Sequence, residues 1–438
     1  QVQEYLSSRL ASDHGNLSVP FVLEVFRTIR LVDEFNKRRM MEYLLPWVRN
    51  FDLIGVCWTA EELSGIGQCL VTLVAITHEF GESSVSEVQR IWMGLSAKEG
   101  NVFPLLHFIL EYSVHGHSHT RAEFRSRVNT LKKIVLCVAR NFPALVLSLL
   151  CDTIREFWAP HKKRRETASF STERMHFGNR ELNRHVEEFD EQSSAVFTRE
   201  RNPTSRLNAQ NASPDEASLT DISATSATTS HLNKSARSRQ PISSQRIAPM
   251  LKHEISLICV VEVAYEQDEV LRPHLPLLLH AAFVAMDHPS SMLHNHAKAL
   301  LINLVQSVVL KQLGVLSGSV EDTEDHEKAL EVIELLGRKD GPMWALEDIS
   351  LEDPQVESSG EVASLVRRIL QVMSSESGLS ERWGGEALRW ATTSPSLHIS
   401  CRSYQIYRTL CPSVTVEASV EILGSLSLFM EDPVPAHL

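Results

Sequence analysis

The sequence has no excess of positive charge, no paired cysteine motif and no apolar run long enough to cross a bilayer. Lysine and arginine number 43 against 55 aspartates and glutamates, giving a formal net charge of -12. Nonspecific affinity for nucleic acid comes from cationic side chains that neutralise phosphates, so this balance argues against a nucleic-acid partner. The seven cysteines, at positions 57, 69, 137, 151, 259, 401 and 411, are odd in number and show no CxxC spacing. Such usage fits a reducing cytosol, and the glycosylation triplets Asn211-Ala212-Ser213 and Asn233-Lys234-Ser235 then read as chance matches. The strongest apolar stretch, Leu136 to Leu150, is broken by Arg140, Asn141 and Pro143, well short of the roughly 20 residues a membrane-spanning helix needs. The chain opens on Gln1 without a leader-like pattern and is expected to be part of something longer.

Catalytic templates are missing too. The sequence holds no P-loop, dinucleotide-binding fingerprint, GxSxG elbow or HExxH helix. Gly65-Ile66-Gly67 is a fragment of a glycine signature inside a helical stripe, where close helix packing explains it better than phosphate binding. Glu61-Glu62 and Glu187-Glu188 read as solvated faces. His115-Gly116-His117-Ser118-His119 places three imidazoles within five residues, but a closed zinc site takes four ligands and no cysteine or carboxylate stands at ligand spacing nearby, so a solvated helix-to-helix turn is the plainer reading. His294-Asn295-His296 is weaker, since alternate residues leave a helix on different sides. No metal, no cofactor and no enzymatic activity are expected.

What remains is the composition of a soluble globular protein, 43% hydrophobic and 22% charged, with a length of 438 residues that suits two or three folding units. The clearest boundary is compositional. From about His161 to Ala248 the chain is rich in Ser, Thr, Asn, Arg and Glu and has too few apolar residues to offset the entropy of ordering it. The reading is a helical region over 1–160, a disordered linker over 161–248 and a second helical region over 249–438. Lys162-Lys163-Arg164-Arg165 forms the basic, solvated edge of that linker, with nuclear import or anionic lipid as its functional alternatives. Arginines just ahead of a hydroxyl make Thr167 a phosphorylation candidate for a basophilic kinase.

Both flanking regions carry apolar residues at helical spacing. Phe21, Val22, Val25, Phe26 and Ile29 form one stripe, and Ile66, Cys69, Leu70, Leu73, Thr77 and Phe80 another. Val128, Leu131, Val135, Val138 and Phe142 form a third, after which Pro143 marks a new helix start over Ala144 to Trp158. Leu293, Ala297, Leu300, Leu301, Leu304 and Val308 line a long helix, Ser380 is the expected cap of the helix carrying Trp383, Ala387 and Trp390, and Ser419 to Met430 closes the chain. The β-branched run Ile255 to Tyr265 is ambiguous. Successive helices joined by short turns predict an all-α, HEAT or armadillo-like solenoid, with an irregular helical bundle as the alternative.

Certain blocks are more specific. Trp383-Gly384-Gly385-Glu386-Ala387-Leu388-Arg389-Trp390-Ala391, followed by Cys401-Arg402-Ser403-Tyr404-Gln405-Ile406-Tyr407-Arg408, resembles a helix-loop-helix stretch of the Furry family of cell-morphogenesis proteins. Tyr404 and Tyr407 stand where that family usually has phenylalanine. Tyr43-Leu44-Leu45-Pro46-Trp47, His274 to Ala281, and Gly341-Pro342-Met343-Trp344 leading to Glu347-Asp348-Ile349 follow the same order. The resemblance is to the central region of that family and does not extend into the linker.

It implies a very large cytoplasmic scaffold of helical repeats, enriched at the cell cortex, growing tips or division site. Such a scaffold works with NDR-class kinases and Mob coactivators in polarised growth and cytoskeletal organisation. An importin-like transport adaptor is the alternative that helical repetition and acidity alone allow. Trp383, Ala387, Trp390, Ile406 and Leu410 are expected in the core. Arg389, Arg402, Gln405 and Arg408 are the candidate partner-binding residues, because arginine's planar fork suits carboxylates on an internal or partner surface.

Overall fold

The computed structural model describes residues 2–54, 65–115, 120–158, 250–266, 270–310, 320–344 and 358–431. Among them every regular element is helical, as the sequence periodicity predicts, and none is a strand. The linker over 161–248, Thr167 and His117 to His119 lie outside the described residues.

The order begins α1 (Val2–Asp13), α2 (Ser18–Thr28), α3 (Glu34–Val48), α4 (Ile66–Phe80), α5 (Val85–Leu95), α6 (Glu99–His115), α7 (Arg121–Ala139) and α8 (Pro143–Trp158). It continues with α9 (Lys252–Glu266), α10 (Leu275–Ala285), α11 (Ser291–Val305), α12 (Val320–Arg338) and α13 (Ser359–Val372). The last three are α14 (Leu379–Thr393), α15 (Leu397–Leu410) and α16 (Val416–Glu431). A π-helical turn, Gln306–Leu310, extends α11.

Local chemistry sets several of these ends. Asp33 caps α3 by accepting from the Asn36 amide at 3.0 Å. Thr120 and Glu123 form a reciprocal capping box at the start of α7, which satisfies two amides that the first helical turn leaves unpaired. Pro143 opens α8, where a missing N–H costs nothing. Ser396 caps α15, and that helix stops at Cys411, which takes a left-handed φ of 47° just ahead of Pro412. Ser380 is not a cap: α14 is preceded by the left-handed Gly378, and the Ser380 hydroxyl donates instead to the Leu410 carbonyl at 2.8 Å.

The helices stack on near neighbours in sequence, as they do in a repeat array. One row runs α1, α3, α5, α7, α9, and a second row of α2, α4, α6 and α8 leans on it. α9 packs against α6, α7 and α8 on one side and α11 on the other, so helices before residue 159 and after residue 249 share one continuous core. This explains the ambiguous run Ile255 to Tyr265. A helix surrounded on all faces has no polar stripe, and eleven of the fifteen residues of α9 are buried. All eleven residues of α10 are likewise buried, between α8, α11, α14 and α15.

Candidate functional site

Four of the recognisable blocks, 274–281, 341–344, 383–391 and 401–408, come together around α10, whereas Tyr43 to Trp47 lies apart in α3, packed with α1, α2 and α5. His280 of α10 sets its ring edge-on to Trp390 of α14 with centroids 4.7 Å apart, and its Nε2 lies 2.9 Å from Ser403 Oγ of α15. Phe283 packs edge-on to Trp383 at 5.2 Å and tilted against Trp344 at 5.9 Å. The stretch Gly341 to Trp344 is held to the end of α10 by the Met343 amide donating to the Met286 carbonyl at 3.0 Å. Lys298 of α11 donates to the carbonyls of Lys339 and Gly341. The expected core residues Trp383, Ala387, Trp390, Ile406 and Leu410 are all buried.

Arg402 is a correction. Expected among surface candidates, it is 2% exposed, because α15 carries it inward to a carboxylate inside the same chain. Its Nε and Nη2 donate to Asp287 Oδ2 at 3.1 and 2.8 Å, and Nη1 donates to Ser358 Oγ at 3.1 Å and Gln405 Oε1 at 2.6 Å. The guanidinium also lies 5.4 Å from the Trp344 ring centre, a cation–π distance. His398 Nε2 reaches Asp287 at 3.1 Å. These four hydrogen bonds satisfy the buried guanidinium and join the end of α10, the start of α13 and one face of α15.

The other three candidates are placed differently. Gln405 is half-buried and its side-chain oxygen is engaged by Arg402, so those two come together. Arg389 is half-exposed beside Glu386 on its own helix, at 3.9 Å. Arg408 is exposed and donates to Ser359 Oγ on the first turn of α13 at 3.0 Å. Only Arg389 and Arg408 therefore offer charge to the outside.

Sequence reasoning missed the acids that organise this region. Glu386 accepts from Trp390 Nε1 at 2.9 Å and from Arg155 of α8 at 3.4 Å, tying α14 to α8. Glu376 is buried and pairs with Arg272. Neither acid has a local pattern that marks this role, since the cation it reaches across the fold, Arg155 for Glu386 and Arg272 for Glu376, lies more than 100 residues away.

The contact between Ser403 and His280 has the composition of a nucleophile–base pair but is turned inward. Both residues are fully buried, the Ser403 hydroxyl donates to the Ile399 carbonyl at 2.7 Å, and its oxygen is left to accept from the imidazole. Burial pushes the His280 pKa down to about 3 and keeps the ring neutral. The buried thiols of Cys69 and Cys259 are pushed up to about 12 by the same cost of burying charge. His294 Nδ1 lies 3.0 Å from the His288 carbonyl oxygen and His296 Nδ1 2.7 Å from that of Met292. Among the described residues no three His, Cys, Asp or Glu side chains are grouped to hold a metal ion.

The signature glycines also divide. A Cβ on Gly384 would sit 2.7 Å from Pro412 Cγ, so this glycine lets the turn after α15 lie on α14, whereas Gly385 faces open space.

An all-helical repeat protein whose most distinctive residues serve its interior is the class these observations define. The family description "Cell morphogenesis central region" matches residues 1–179 and 193–438, and the chain belongs to that family. It is 25% identical to "Cell morphogenesis protein PAG1" of Saccharomyces cerevisiae over 424 residues, 95% of this chain and 14% of that protein. It is 23% identical to "Cell polarity protein mor2" of Schizosaccharomyces pombe over 428 residues, 97% of this chain and 16% of that protein. The resemblance to Furry-type cell-morphogenesis proteins thus holds over nearly all of the chain, which spans about one sixth or less of these relatives.

Proposed function

We propose that this chain is the central segment of a non-enzymatic scaffold acting in cell morphogenesis and polarised growth. One observation carries the reading: the family match covers nearly the whole chain, and the two relatives are named for morphogenesis and for polarity. The stacked helices support it, since a repeat array presents long surfaces on which several partners sit at once, raising their effective concentration without chemistry of its own. The inward-facing Ser403–His280 pair and the protonated buried thiols also favour it, because none of these groups meets a substrate surface.

The finer reading adds partners and place. The protein supports an NDR-class kinase and its Mob coactivator, as the Furry resemblance implies, in the cytoplasm near the cortex, growing tips or division site. Among the described residues no helix is long and apolar enough to cross a membrane. The test is affinity purification of the full-length protein from growing cells, with and without residues 1–438, alongside scoring of cell shape. Recovery of kinase and coactivator with the intact protein, and loss of polarity on deletion, is the expected result. Recovery of importin-type cargo and no kinase would overturn it in favour of the transport reading.

A further inference from the structure

Away from the signature helices, α3, α5 and the turn into α8 enclose an open groove of about 430 Å³. Its apolar lining includes Leu45, Met93 and Phe142, and Arg49 and Arg90 border it. The groove is a built feature. Asn141 Nδ2 donates to the Met93 carbonyl at 2.7 Å and to Ser96 Oγ at 2.9 Å, fixing the turn that carries Phe142 against α5. Gly94 brings α3 and α5 together, since a Cβ there would lie 2.7 Å from Leu45 Cδ1 and 3.6 Å from Arg49 Cγ.

The two arginines have no strong ionic partner, unlike several other cations on these helices. Arg30 pairs with Glu79 at 2.9 Å, Lys132 with Glu262 at 2.6 Å and Arg140 with Glu266 at 2.9 Å. Arg49 has no carboxylate within ion-pair distance among the described residues, and Arg90 has only Glu42 at 4.0 Å, with both side chains well exposed. In a chain of net charge -12, two guanidiniums held without strong partners beside an apolar floor are complementary to negative charge next to a hydrophobic group.

We propose that this groove docks a short acidic segment of a partner protein in which carboxylates flank one apolar side chain. The carboxylates meet Arg49 and Arg90, and the apolar side chain lies on Leu45, Met93 and Phe142. This inference rests on the groove alone and stands or falls separately from the scaffold reading.

The experiment is fluorescence anisotropy with residues 1–438 and a labelled peptide carrying two glutamates on each side of one leucine. The expected result is saturable binding that weakens about tenfold or more in the Arg49→Glu, Arg90→Glu double variant and severalfold when the peptide leucine becomes serine. Both arginines are exposed, so the double variant keeps the wild-type melting curve. Arg125→Glu, at an exposed arginine of α7 outside the groove, leaves affinity unchanged. No saturable binding to millimolar peptide, equal affinity in the double variant, or equal affinity for the serine peptide would each overturn the proposal. Preferential binding of single-stranded DNA lost in the same variant would overturn it as well.

Discussion

The helices α1 to α8 and the helices α9 to α16 bury polar groups in different ways. In α1 to α8 and their turns the buried polar residues are neutral: Ser7, Ser18, Thr72, Thr77, Ser84, Ser96, Asn101, Ser113 and Thr130. Every buried carboxylate, ammonium, guanidinium and imidazole of the described residues lies after residue 250: His253, Glu254, His280, Asp287, His294, Lys298, Glu376 and Arg402. Some hydroxyls of the first set are satisfied within their own helix, as when Thr72 donates to the Gln68 carbonyl at 2.8 Å and Ser113 to that of Leu110 at 2.6 Å. Such bonds demand nothing of neighbouring helices. The ionic groups of the second set need partners on other elements, so they fix which helices meet and in what register.

The sharpest way to break this comparison is to remove one ion from the second set. Asp287→Ala strands Arg402 in the interior and is expected to lower stability by about 3–5 kcal/mol, read from chemical unfolding. Replacing both partners, with Asp287→Leu and Arg402→Met, should recover most of that loss, because no unpaired charge remains. A single variant as mild as the double would show that the ionic network contributes little. Apolar packing should not distinguish the two regions. Trp92 and Trp390 are both fully buried, and truncating either to alanine is expected to cost about 3–5 kcal/mol. A marked difference between the two variants would mean that the comparison is one of packing as well as of charge.

Acid should act mainly on the second set. Burial depresses His253 and His280 to about 3 from an ordinary value of 6.5, so both stay neutral in the fold while their unfolded counterparts take up protons. The stability they contribute is therefore complete above pH 6.5 and is lost as pH falls from there toward about 3. The slope is roughly 1.4 kcal/mol per pH unit for each ring. His280→Gln should flatten the fall in unfolding free energy between pH 6.5 and 5 by one proton. An unchanged slope would show that the ring is protonated in place.

How much of this was legible follows from what periodicity records. Phe21 to Ile29, Val128 to Val138 and the start at Pro143 were readable because each such helix buries one face and leaves the other polar. The run Ile255 to Tyr265 was not, because α9 is covered on every side and shows no period. Trp383, Ala387 and Trp390 were legible as core from their shared helical face, and Ile406 joined them once the family blocks were read. Arg402 was not, since arginine is normally exposed and the partner that draws it inward, Asp287, lies 115 residues earlier. Glu376 and Glu386 escaped for the same reason. Helical period reports the face a residue occupies, and only the packed structure reports what charge waits there.

The smallest effect separates two threonines on α4, one turn and a half apart. Thr72 and Thr77 are both nearly buried, and each donates to the carbonyl four residues back, at 2.8 and 2.7 Å. Valine has almost the same shape as threonine. Thr72→Val removes only a bond whose acceptor already serves the helix ladder, so a change near zero is expected. Thr77 differs because its oxygen also accepts from Trp92 Nε1 of α5 at 2.9 Å. Thr77→Val leaves that buried indole N–H without an acceptor, at an expected cost of about 1–3 kcal/mol. Thermal unfolding of the two variants side by side measures the difference. If Thr77→Val is as mild as Thr72→Val, the first set of helices holds no cross-helix polar bond of consequence here. If it is as severe as Asp287→Ala, neutral and ionic interiors constrain their helices equally and the contrast between the two regions fails.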